Sequence, residues 1–211
     1  MENLIWFSAP GAVLAIAIIC TNPGLVKTDV SGFLAAVAVP VLGFGIHQFY
    51  RLLFEMTGGF ARKSRPALKH IQNVIAPENG IENCDREKAF LIWETTFYSD
   101  EFPSSFRDHN RGAWHYILSF QSTALAAVLG ASWIGVSYCI GSRPSHPAEF
   151  VLGEVAAGIV FALKGHYTYQ SLMKQELAST FAWYSLFAKT SEALQEMPDS
   201  FNGSMKSAAH K

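Results

Sequence analysis

Ser31–Met56, SGFLAAVAVPVLGFGIHQFYRLLFEM, is the stretch from which the rest of the chain is read. Its first part is apolar over a length that can cross a bilayer. Its end carries His47, Arg51 and Glu55 at intervals of four, which puts the three on one face of a helix. A membrane helix therefore runs out into a polar stripe.

The same character extends outward from that stretch. Of 211 residues, 50% are hydrophobic and 16% charged, and the mean hydropathy is +0.17. The apolar residues gather in four blocks, 4–20, 33–49, 113–140 and 148–163. A spanning helix needs roughly 20 apolar residues, with about 17 as a lower bound. The first, second and fourth blocks are near that minimum, and the third has room to tilt. A soluble helical protein would need unusually apolar helices to match this composition, and four blocks in two hairpins argue instead for an all-α integral membrane protein. The opening MENLIW carries Glu2 where a secretory signal carries basic residues, so the first block is read as a retained helix.

The expected organisation is a first transmembrane hairpin over 1–56, a helical cytoplasmic insertion over 57–112, a second transmembrane hairpin over 113–170, and over 171–211 a cytoplasmic extension of the last helix with a disordered tail. Thr21-Asn22-Pro23-Gly24 ends the first helix. Pro40 is tolerated as a kink in the second, and Gly43 and Gly45 admit a close neighbour. Within the insertion, 64–75 is predicted helical with Pro66 in its first turn, and Pro77-Glu78-Asn79-Gly80 ends it. A second helix over 83–98 sets Ala89, Phe90, Trp93 and Phe97 in an apolar stripe for a neighbouring helix or the membrane surface. Residues 99–110 read as loop, with Pro103 and Ser104-Ser105 as breakers.

Two further stripes repeat every fourth residue. Ser119, Thr123, Ala127, Ala131 and Gly135 form a small face, an interface within the bundle or between subunits. Glu154, Gly158, Ala162, His166, Gln170 and Lys174 form a stripe polar at both ends, which predicts a last helix running unbroken to about residue 190. Basic residues concentrate in the insertion and the C-terminal part, while the two short turns hold Lys27 and Arg143. The positive-inside rule then puts the protein in the cell membrane as a multi-pass protein with both termini cytoplasmic. Tyr50, Tyr116, Tyr167 and Tyr169 fall at the inner boundary and Trp133 and Tyr138 near the outer one, as an aromatic belt requires. Cys20 and Cys139 fall at outer helix ends, and Cys84 reads as an ordinary free thiol.

In this topology His47, His115 and His166 share one depth at the cytoplasmic boundary, with Arg51, Glu55, Arg111, Lys164 and Gln170 within about two turns. The plainest reading is a set of interfacial anchors that snorkel to headgroups. The leading functional reading is a non-enzymatic, homo-oligomeric channel-like or scaffold assembly. His47, Arg51, Glu55, His115 and His166 would line its cytoplasmic mouth, and Glu154 would face the lumen. An alternative makes His47 and His166 axial ligands of a b-type haem, or sets all three histidines on a metal. Arg51 and Lys164 oppose a bare cation there but could pair with haem propionates. A third reading is a membrane-bound enzyme with a histidine acid or base and an anion held by Arg51 or Arg111.

Other chemistry is absent from the sequence: it has no phosphate loop, no dinucleotide fingerprint, no HExxH and no GxSxG elbow. A net charge of −1 gives nucleic-acid binding no support, and the run Arg62-Lys63-Ser64-Arg65 reads as contact with anionic lipid. The expected partners are the lipid bilayer, further copies of the chain, and a cytoplasmic protein met through 57–112.

Overall fold

Helices account for all the regular structure among the described residues. The computed structural model describes the backbone of residues 2–22, 31–56, 65–141 and 146–195, with side chains over 8–22, 37–53, 65–141 and 146–195. The elements are α1 (Glu2–Thr21), α2 (Ser31–Met56), α3 (Pro66–His70), a π-helical turn (Ile71–Ile75), α4 (Ala76–Glu78), α5 (Arg86–Tyr98), α6 (Ser104–Cys139), α7 (Pro147–Ala182) and α8 (Tyr184–Gln195). They form two compact units, one of residues 1–63 and 111–170, the other of 64–110 and 171–211. Among the described residues, α6 is the one helix long and apolar enough to cross a membrane. The apolar parts of α1 and α2, Ser8–Thr21 and Val37–Leu53, are shorter. The tail beyond Gln195 and both short turns of the expected topology lie largely outside the described residues.

In the first unit, α1 and α2 meet backbone to backbone. A β-carbon on Gly11 would fall 1.8 Å from the Val39 carbonyl oxygen and 2.8 Å from the Gly43 nitrogen, so only glycine fits there. Gly43 is thus part of a close approach, as expected, but a β-carbon on Gly45 would meet nothing within 4 Å.

The small face of α6 is real over part of its length. Ser119, Thr123 and Ala127 are buried, Ala131 is half-buried and Gly135 is exposed. The buried line runs instead through Ser122, Ala126, Gly130, Ile134 and Ser137. Helical geometry explains the difference. Four residues turn a helix through about 400°, so a strict fourth-residue stripe drifts by roughly 40° per step and leaves the contact face within a few turns. The stripe on α7 drifts likewise: Glu154 and Gly158 are buried, while His166, Gln170 and Lys174 are exposed.

The second unit holds a conventional apolar core. Leu68, Ile71, Ile75, Ile92, Phe97, Phe102 and Phe187 are buried together there. Ala89, Trp93 and Phe97 of the predicted stripe join it, with Phe90 half-buried, so this stripe packs on other helices. α5 starts at Arg86, later than expected, because the Asp85 carboxylate caps it by accepting from the Lys88 amide at 2.8 Å. α6 begins at Ser104, well before residue 113, and the Arg107 amide donates to the Pro103 carbonyl to close its first turn. Pro103-Ser104-Ser105 thus starts a helix where it was read as loop. The last helix does not run unbroken: α7 ends at Ala182, and α8 restarts with the Leu186 and Phe187 amides donating to the Trp183 carbonyl.

Both units bury polar side chains, among them Arg65, Asn110 and Glu176 in the second, and they differ in what they expose. The first buries Thr21, His47, Ser119, Ser122, Thr123, Ser137 and Glu154, and turns large apolar side chains outward. Val41 and Leu52 on α2, Val128 and Val136 on α6, and Leu152 and Val160 on α7 are each more than half exposed. Among the described residues of the second unit the large exposed apolar side chains are Tyr98, Phe181 and Trp183.

Candidate functional site

His47 enters the first unit from α2, one turn before the end of its apolar stretch, and is buried. Its Nδ1 lies 3.5 Å from the Ser122 hydroxyl on α6, and that hydroxyl donates to the Ser119 carbonyl at 3.0 Å. The hydroxyl's proton is thus engaged elsewhere, and its lone pairs face the His47 ring. The charges of His115, on α6, and Arg51, one turn along α2, bear on the His47 ring. Both of those side chains are exposed. Three of the anticipated residues, His47, Arg51 and His115, are therefore brought together.

The others stand apart or outside. The Glu55 side chain falls outside the described residues. His166 is exposed on α7, where its Nε2 lies 2.9 Å from the Gln170 amide nitrogen. Haem ligation through His166 would have to break that bond, since Nε2 is the nitrogen it takes. Among the described residues no group of three or more His, Cys, Asp or Glu side chains is placed to hold a metal ion, so the three-histidine metal site does not form. Glu154 is 7% exposed, and a β-carbon on Gly130 of α6 would lie 3.3 Å from its carboxyl carbon and 3.1 Å from Ala17 of α1. Cys20, Cys84 and Cys139 are free thiols. Burial chiefly, helped by Asp85 and opposed by Lys88, pushes the Cys84 thiol up.

A polar cluster that the sequence did not reveal lies in the core of the second unit. Glu176 on α7 is fully buried. Its Oε1 accepts from Asn110 Nδ2 at 3.0 Å, and its Oε2 lies 3.4 Å from Arg65 Nε. The Arg65 guanidinium also sits 4.9 Å over the Trp93 ring. Arg65 is thus buried and paired instead of facing lipid, while Arg62, Lys63 and Ser64 lie outside the described residues. The signal for Glu176 was present: from Glu154 and Gly158, a period near 3.6 leads through Gly165 and Leu172 to Glu176, all buried, where a period of four leads to exposed Lys174.

The chain matches no protein-family profile, no curated protein and no solved structure. The arrangement of its own residues is therefore what speaks to function. A buried imidazole flanked by an arginine and a second histidine can bind an anion, relay a proton or change charge near neutral pH.

Proposed function

We propose that this protein is a non-enzymatic, multi-pass membrane protein, a homo-oligomeric channel-like or scaffold assembly with His47, Arg51 and His115 at its cytoplasmic mouth. The observation that carries this reading is the apolar exterior of the first unit. Apolar surface left in water costs about 25 cal/mol per Å², and the outward Val, Leu, Ile and Phe side chains of α2, α6 and α7 present a great deal of it. In hydrocarbon that cost vanishes, and hydroxyls, imidazole and carboxyl belong inside. α6, long and apolar enough to cross, supports a crossing, and α1, with 20 residues, is about 30 Å long at 1.5 Å per residue, although its described apolar part is shorter. The second unit, with its apolar core and charged exterior, suits the cytoplasm and a cytoplasmic protein partner. Lipid is the first partner, and further copies of the chain are the second.

The test has two parts. Alkaline carbonate washing of membranes from expressing cells should leave the protein in the pellet, and release into the supernatant would end the membrane reading. Native mass measurement in detergent, followed by ion flux into liposomes, should give an oligomer whose conductance responds to pH and to His47→Ala. A monomer with no flux would refute the assembly, and a Soret band in the purified protein would favour the haem alternative.

A further inference from the structure

Glu154 is an unusual place for a carboxylate. It lies on α7 with only 7% of its surface exposed, aimed at the notch that Gly130 leaves in α6 and that Ala17 of α1 closes. Its Oε2 is fully covered and has no hydrogen-bond partner among the described residues. A packing role alone would be served by an apolar residue of similar size, and an anchoring role would need an exposed head. Neither accounts for a carboxyl held with an oxygen unanswered.

We infer that Glu154 is a proton-binding site inside the first unit, with a single proton as its occupant. This rests on the reading that the first unit lies in a bilayer, and it names the species that the assembly responds to. A charged side chain among lipid-facing helices is costly, and a proton on the carboxyl removes that cost with no further ligand. A metal cation fits the notch poorly. Calcium takes about six to eight oxygens and magnesium near-ideal octahedral geometry, and the described residues hold no group of three or more such side chains there. Among the described residues, the groups that face Glu154 are few. From α1 the Cys20 thiol is within electrostatic reach, α6 presents the uncharged Gly130, and the other charged groups of the same stretch of α7, Glu149 and Lys164, are exposed. Loss of the proton creates a charge beside the α1, α6 and α7 contact, where no described side chain answers it, and the three helices must then part or admit water.

The experiment is labelling with dicyclohexylcarbodiimide in carbonate-washed membranes. The apolar reagent takes up the carboxyl proton on nitrogen while the carboxyl oxygen bonds its central carbon, and an oxygen-to-nitrogen acyl shift then fixes the whole reagent mass on the residue. Mass spectrometry should place the adduct on Glu154. Labelling should fall by about tenfold per pH unit once the solution is more alkaline than the group's titration point, and Glu154→Gln should carry no adduct. Infrared pH-difference spectra of the unmodified protein should show a protonated carboxyl band that is lost over the same range, a readout that does not depend on how the variant folds. Protein that stays in the washed membrane but takes no label, or labels equally at every pH, overturns the inference and leaves the membrane reading standing. Protection by sodium, potassium or calcium overturns it in favour of a metal cation. Protein removed by the carbonate wash refutes the membrane reading itself.

Discussion

Glu176 shows how much one side chain can carry. A carboxylate brought fully out of water costs several kcal/mol, and Arg65 and Asn110 offset that cost through the 3.4 Å and 3.0 Å contacts. Removing one member takes from the other the opposite charge that it is buried against. Glu176→Ala should therefore destabilise the chain by about 3–5 kcal/mol. Arg65→Met combined with Glu176→Leu should recover most of that loss in denaturant titrations of the detergent-solubilised protein. If the double variant is as unstable as the single one, the pair is not coupled. The sequence hid this pair because Arg65 sits in a basic run, and averaging over neighbours obscures a residue whose partner lies far along the chain. His47 was legible, since it ends an apolar run, while Ser122 was not, since a serine in a small-residue seam reads as packing. His70 gives a second test. Its ring lies 4.1 Å from that of Phe181, and burial holds its pKa below the usual 6.5, with Glu78 pulling the other way. The folded chain thus binds this proton less readily than the unfolded one, so stability rises with pH across the window between the two values. It is complete above about 6.5 and is lost as pH falls from there toward the folded value. Melting temperature should drop between about pH 7.5 and about pH 5.5, and less steeply in His70→Phe. Equal slopes would assign the dependence to other groups.

At the scale of the element, punctuation was easier to read than orientation. Proline and glycine clusters marked the ends of α1 and α4, because their backbone limits are local and travel with the residue. The faces of α6 and α7 were harder, because a fixed interval of four departs from the helical repeat and points to the wrong residues after a few turns. Helix starts were also partly hidden: Ser104 and Asp85 act through bonds to amides further along, and the same residue types serve in loops. The α1 and α2 pairing yields a clean contrast between two glycines. Gly11→Ala pushes a methyl group into the Val39 carbonyl, which cannot rotate away, whereas Gly45→Ala meets open space. Gly11→Ala should cost about 1–3 kcal/mol and lower the melting temperature in detergent, and Gly45→Ala should leave it within error or raise it slightly through better helix propensity. If both substitutions behave alike, the backbone contact at Gly11 does not hold the hairpin together.

Across the whole molecule, the two units solve opposite solvation problems. In the second, aromatic and aliphatic side chains are withdrawn from water, the buried Arg65 and Glu176 answer each other, and the large apolar side chains left exposed among the described residues are few. In the first, the described interior is hydroxyl-rich and small, Trp133 Nε1 donates to the Thr21 hydroxyl at 2.9 Å, and the bulk of the apolar surface faces away from the protein. If the first unit lies in a bilayer, as proposed, the two ends of α6 should be reached from different sides of a membrane. With Cys20 and Cys84 replaced by serine, Cys139 at the exposed end of α6 serves as one reporter, and Lys88→Cys on the exposed face of α5, ahead of the start of α6, as the other. A membrane-impermeant maleimide added to sealed vesicles of each orientation should modify Cys139 from the outer side and the cysteine at position 88 from the cytoplasmic side. Modification of both from the same side would mean that α6 does not cross, and the apolar exterior of the first unit would then have to be covered by protein instead of lipid.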